Sequence, residues 1–219
     1  MLNRLALLTV CLASLATEPL HAQRRPRERG RDQGFEVTDG PRWFATAGPG
    51  MVWGPYVVDD ATNSAWDFDA AFSLRGSLER EVARYTSVGV AFNFARLPLT
   101  FNDLSGGGGC TRCAGDATVS SYGAMFRYGG GTGFHQVIEG FLGALRYGNF
   151  DVPGKNISVS NTDFAFGGGY GFGYTMARDW QLQFVQDGLY AVHERSTAGQ
   201  GGGRFARHFN TRLSLRVGF

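Results

Sequence analysis

No uncharged apolar run approaches the roughly 18 residues that a membrane-crossing helix needs, so a helical membrane span is excluded. Cysteine is scarce: of three, Cys11 lies in the first segment, and only Cys110 and Cys113 fall in the body of the chain. Two cysteines cannot staple a fold of 219 residues, so the fold must rest on its own packing. Charged residues make up 18% of the chain and nearly cancel, with a net charge of +2, so no basic face suited to nucleic acid is implied. What is plentiful is glycine, at 33 residues, and aromatic side chains, at 14%.

Residues 1–22 have the form of a secretory signal peptide. Arg4 gives the positive start, Leu5 to Leu15 the apolar stretch and Ala22 a small residue before the expected cut. Val10 is too bulky for the position before a lipoprotein cysteine, so Cys11 reads as part of the apolar stretch. Residues 23–41 form a basic arm, with Arg24, Arg25, Arg27, Arg29 and Arg31 set against Glu28, Asp32 and Glu36. The rest of the chain is balanced in charge, so the whole excess sits in this arm. Its composition is that of a solvated linker.

Residues 42–219 alternate between apolar and small or polar residues in eight segments. The last is the most regular: Phe209, Thr211, Leu213, Leu215, Val217 and Phe219 share one face, and Asn210, Arg212, Ser214, Arg216 and Gly218 the other. The second sets Trp66, Phe68, Ala70, Phe72 and Leu74 against Asp67, Asp69, Ala71, Ser73 and Arg75. The third, fourth, sixth and seventh are carried by Val88 to Phe94, Tyr122 to Tyr128, Phe164 to Tyr174, and Trp180 to Phe184. The first, near Trp43 to Trp53, contains Pro49, which demands a bulge or a missing hydrogen bond. The fifth, His135 to Tyr147, is apolar at both parities, and its register stays open: one choice turns Glu139 outward, the other Arg146.

Connections alternate short and long. Short turns are expected around 79–84, 129–133 and 177–179, and longer loops around 54–64, 97–117, 150–161 and 193–204. Alternating strands, this loop asymmetry and a terminal strand ending in "TRLSLRVGF" resemble the small eight-stranded bacterial outer-membrane β-barrels of the OmpA and OmpX kind. The resemblance implies an all-β, eight-stranded antiparallel up-and-down transmembrane barrel, with both chain ends on the short-turn, periplasmic side. It further implies outer-membrane lipid and the barrel assembly machinery as partners, with Phe219 as the assembly signal. A soluble eight-stranded barrel shares the same periodicity. Against it stand the glycine-rich face Gly167, Gly169, Gly171 and Gly173, and aromatics at strand ends: Trp66, Tyr122, Tyr128, Tyr147, Tyr174 and Trp180.

The polar face should then line a lumen holding Asp67, Asp69, Arg75, Arg127, Asp163, Asp187, Arg212 and Arg216. Eight strands enclose a space that side chains nearly fill, so these charges must pair, either as a structural plug or as a gated narrow channel. Cys110 and Cys113, in "GGGGCTRC", have the spacing of half a zinc site or a redox pair, but no second pair or nearby histidine completes either. A local disulfide that stiffens the loop tip is the better reading. His135, His193 and His208 show no recognisable catalytic setting, although Ser196 and Glu194 neighbour His193. The glycine runs at 106–109 and 201–203 lack the lysine and helix of a phosphate-binding loop. No catalytic residue, cofactor or metal site is expected. The expected role is structural or surface-interacting, through extracellular loops and an unidentified partner; the alternative is a narrow channel or transporter for small or apolar solutes.

Overall fold

The structure is a computed structural model that describes residues 42–59, 63–105, 111–153, 160–177, 179–193 and 205–219. The expected signal peptide and the basic arm before residue 42 lie outside the described residues. Ten strands follow in sequence: β1 Trp43–Trp53, β2 Tyr56–Asp59, β3 Ser64–Phe68, β4 Ala71–Ala83, β5 Thr86–Asp103, β6 Cys113–Tyr128, β7 Gly133–Asp151, β8 Asn161–Ala177, β9 Trp180–Val192 and β10 Phe205–Gly218. β1 with β2, and β3 with β4, are single wall strands broken by a short kink. The wall therefore has eight strands, all antiparallel, and it closes where β1 pairs with β10.

Outward positions are large and apolar. Phe72, Leu74, Val90, Phe92, Phe126, Leu142, Phe164, Phe172, Phe184 and Leu213 all point away from the barrel and are exposed. A soluble barrel would hide such residues inside; this one presents them to lipid, so it is a transmembrane barrel. Trp43, Tyr85, Tyr128, Tyr174 and Trp180 form an outward aromatic ring at the short-turn end, where an amphipathic ring can meet the headgroups. Trp66 and Tyr147 do not join such a ring: both are wholly buried inside.

The reason lies in the kinks. Between the pairs Phe68↔Leu99 and Ser73↔Ala95 the second wall strand advances five residues while β5 advances four. One extra residue reverses the facing of everything beyond it. Phe72 and Leu74 face lipid as the alternation predicts, but Trp66 and Phe68 turn inward, and Asp67 and Asp69 are exposed rather than luminal. The first wall strand reverses in the same way across Gly54 and Pro55, since Val52 and Val57 are both buried though an odd number of residues apart. A Cβ on Gly54 would stand 2.3 Å from the Cβ of Phe68, so the two kinks pack against each other only through a glycine.

Pro49 produces the missing contact rather than a bulge. The β1–β10 ladder runs from Phe44↔Gly218 to Ala47↔Leu215, skips positions 48 and 49, and resumes at Gly50↔Arg212 without a change of register. β7 takes the register that buries Glu139 and sends Arg146 outward, where Arg146 bonds the Ser160 hydroxyl. The strands also exceed the expected alternating segments. β4 continues to Ala83, and β5 and β6 consume most of the expected 97–117 loop, with Leu97, Leu99 and Phe101 buried in the lumen.

Candidate functional site

The lumen is the candidate site, and it has two tiers. The tier nearer the short turns is an ion-pair network. Glu139 on β7 receives Arg127 through Nε at 3.0 Å and Nη2 at 2.6 Å, Arg75 at 3.3 Å, and Arg212. Glu79 on β4 receives Arg127 Nη1 at 2.6 Å, Arg216 at 3.3 Å, and the hydroxyls of Thr46, Ser77 and Ser87. Asp187 on β9 bonds Arg212 and lies 3.6 Å from Arg75. Arg216 also stands over the Phe44 ring at 3.5 Å. Isolated charges at such depth would be prohibitively costly, and each guanidinium here meets at least one carboxylate.

This arrangement depends on inward alternation: Arg75, Ser77 and Glu79 follow one another on the inner face of β4, and Arg212, Ser214 and Arg216 on that of β10. Arg127 reaches across β5 to Glu79, whose partner on β5 is Gly89. A Cβ there would lie 2.0 Å from the Leu78 carbonyl oxygen, so glycine also permits the close approach of β4 and β5.

The tier nearer the long loops is apolar. Trp66, Phe68, Leu97, Leu99, Val119, Leu145, Tyr147, Phe150 and Val152 form one buried cluster. Trp66 packs against Phe150 with ring centroids 4.7 Å apart and against Tyr147 at 5.7 Å, and Tyr147 stacks on Phe68 at 5.8 Å. Polar groups in this tier are held individually: Trp66 Nε1 donates to Ser64 Oγ at 2.8 Å, and the Tyr147 hydroxyl pairs with His208 Nε2 at 2.9 Å. His193 Nδ1 meets Asp163 at 2.8 Å, and its Nε2 lies 3.6 Å from Asp59.

Of the eight luminal charges expected from sequence, Arg75, Arg127, Asp187, Arg212 and Arg216 join one network. Asp163 is luminal but sits higher, with His193, and Asp67 and Asp69 lie outside. Sequence reasoning missed Glu79 and Glu139, the two carboxylates that organise the arginines. Glu79 was hidden by a charged Glu-Arg-Glu stretch that reads as a turn; continuing the inward parity from Ser73 and Arg75 would have placed it. Glu139 was hidden by the apolar residues at both parities of β7. Cys113 opens β6 and is disulfide-bonded, whereas Cys110 lies outside the described residues, as do Ser196 and Glu194. Phe219 is exposed, and its backbone exchanges two hydrogen bonds with Trp43, at 2.9 and 3.1 Å.

Compared by sequence, the chain matches no protein-family model and no curated protein. Compared by structure, it is similar to the crystal structure of Neisserial surface protein A, with a TM-score of 0.57 at 14% identity over 81% of this chain and 97% of that one. It is also similar to the outer membrane protein OprG from Pseudomonas aeruginosa, with a TM-score of 0.55 at 12% identity over 82% and 96% of the two chains. At these identities the likeness carries the fold, a small eight-stranded transmembrane barrel.

Proposed function

We propose that this barrel resides in a bacterial outer membrane as a structural or surface-interaction protein, presenting its long loops from a lumen closed by side chains. The observation that carries the reading is the succession of two buried tiers, the Arg127–Glu79–Glu139 network below and the Trp66–Tyr147–Phe150 cluster above. Both would have to be dismantled to open a continuous aqueous path. The export signal read in residues 1–22 and the fold shared with a bacterial surface protein and an outer-membrane protein support the location. The short-turn end then faces the periplasm, and the barrel serves as a rigid base on which loop residues meet an external partner. Planar-bilayer recording tests the closed lumen: the purified protein should give no steady conductance, and a reproducible open level would overturn the reading. Shortening the loop between β9 and β10 should abolish attachment of cells to a surface they otherwise bind.

A second reading, passage of small or apolar solutes, draws on one particular observation. Among the described residues, β2 pairs with β3 alone, and Phe205 to His208 of β10 pair with β9 alone, so the described β1–β10 ladder stops at Trp53↔Phe209. That unpaired stretch of wall lies beside the apolar tier and offers a lateral way into it. A disulfide between cysteines placed at Val57 and Ala206 would close it; slower uptake of an apolar solute by cells carrying that variant would favour this reading over the first.

A further inference from the structure

The lipid-facing wall of the barrel is not smooth. A furrow of about 860 Å³ crosses it from β4 to β8, walled by Leu78, Val90, Phe126, Leu142 and Phe166, and its volume is that of a pocket for a small organic molecule. The furrow exists because large outward residues face small ones across two strands: Phe126 is opposite Gly140, and Leu142 is opposite Ala124. A Cβ on Gly140 would come no nearer than 4.0 Å to a neighbouring atom, so protein leaves this floor open to whatever lies outside.

One end of the furrow is charged. Arg80 is the one charged residue among the described residues that line it, and its guanidinium stands 5.9 Å from the centre of the Trp43 ring, in the aromatic ring of the short-turn end. Arg84, in the turn between β4 and β5, stands 5.0 Å from the Tyr85 ring centre and donates to the Tyr85 hydroxyl at 3.1 Å. Among the described residues neither guanidinium pairs with a carboxylate, whereas Arg42 at the same end pairs with Asp179 at 3.0 Å. Glu79 and Glu81, on either side of Arg80 in sequence, follow the inward parity of β4, and the charges of both act on Arg216 in the lumen.

Two guanidinium groups without protein carboxylates, placed where the headgroup layer begins, suit a phosphate, which the planar fork of arginine matches in geometry. The apolar furrow leading away from them toward the middle of the wall suits an acyl chain. Because no described carboxylate is left over beside Arg80 to receive a headgroup ammonium, the pair selects a headgroup of net negative charge. We infer that this furrow binds one anionic phospholipid of the leaflet at the short-turn end, its phosphate on Arg80 and Arg84 and one acyl chain along Ala124 and Gly140. The inference rests on the transmembrane barrel alone and stands apart from the surface role and from the state of the lumen.

Native mass spectrometry of the full barrel, released from nanodiscs of equal phosphatidylglycerol and phosphatidylcholine, tests it. The protein should retain one phosphatidylglycerol in preference to phosphatidylcholine. Arg80→Gln should weaken that preference about fivefold, as the loss of one cationic contact at a membrane surface does. Gly140→Leu and Ala124→Leu fill the furrow from its floor, and each should release the lipid; two fillings keep the test decisive if one of them does not give the folded electrophoretic form. Equal retention of both lipids, unchanged in every variant, would reduce the furrow to ordinary lipid-facing wall and overturn the site. Release by the filling variants with no effect of Arg80→Gln would overturn the phosphate contact, and a parent protein that retains no lipid would overturn the whole.

Discussion

Arg127 and Glu139 stand directly opposite each other on β6 and β7, and two nitrogens of the guanidinium share one carboxylate oxygen, at 3.0 and 2.6 Å. From the same place the third nitrogen of Arg127 reaches Glu79 on β4 at 2.6 Å. One arginine therefore ties together wall strands on both sides of β5; Glu139 in turn collects Arg75 from β4 and Arg212 from β10, and Glu79 collects Arg216 from β10.

Removing Glu139 should be the most damaging change in this tier. Glu139→Leu would leave Arg75, Arg127 and Arg212 buried with too little negative charge, a loss expected to be about 3–5 kcal/mol. Urea unfolding in lipid vesicles measures it. A variant as stable as the parent would show that the network contributes little to holding the barrel closed.

The reversed phase beyond Asp69 gives a sharp spectroscopic outcome. In a chain whose only tryptophan is Trp66, lipids brominated along their acyl chains should leave the fluorescence nearly unquenched, whereas a chain keeping only Trp180 should be quenched strongly. Trp66→Ala should cost about 3–5 kcal/mol, as the loss of a large core side chain does. Phe72→Ala, on the lipid face, should cost much less.

Gly89 is expected to tolerate no side chain. Its Cβ would strike the Leu78 carbonyl oxygen, which belongs to the neighbouring strand backbone and cannot turn aside. Gly89→Val should therefore fail to yield the compact, heat-modifiable form on electrophoresis, while Gly131→Ala, in an open turn with nothing near the added carbon, should still assemble, weakened only by its positive φ.

Phe219 separates assembly from stability. Its side chain is 73% exposed, so Phe219→Ala should change the unfolding free energy by only about 0.5 kcal/mol. If the terminal aromatic is read by assembly factors, the same variant should reach the membrane slowly in cells. Normal insertion with normal stability would leave the residue without a role in assembly.

The alternation in β10, with Arg212, Ser214 and Arg216 inside and Leu213 outside, was legible in the sequence because a strand buried on both faces, one in lipid and one in a crowded lumen, has no freedom to slip. The same held for β6, β8, β9 and the Phe72–Arg75 part of β4, and it fixed the barrel, the strand number and five residues of the arginine network. Sequence could not decide the facing of Trp66 and Asp67, since a single extra residue at the kink inverts the pattern and leaves the pattern itself intact. Nor could it choose the register of β7, where both faces are apolar and only the arginines of β4, β6 and β10, brought together by closure, make the inward choice for Glu139 favourable. Local periodicity set which residues alternate; the partners across the barrel decided which way they point.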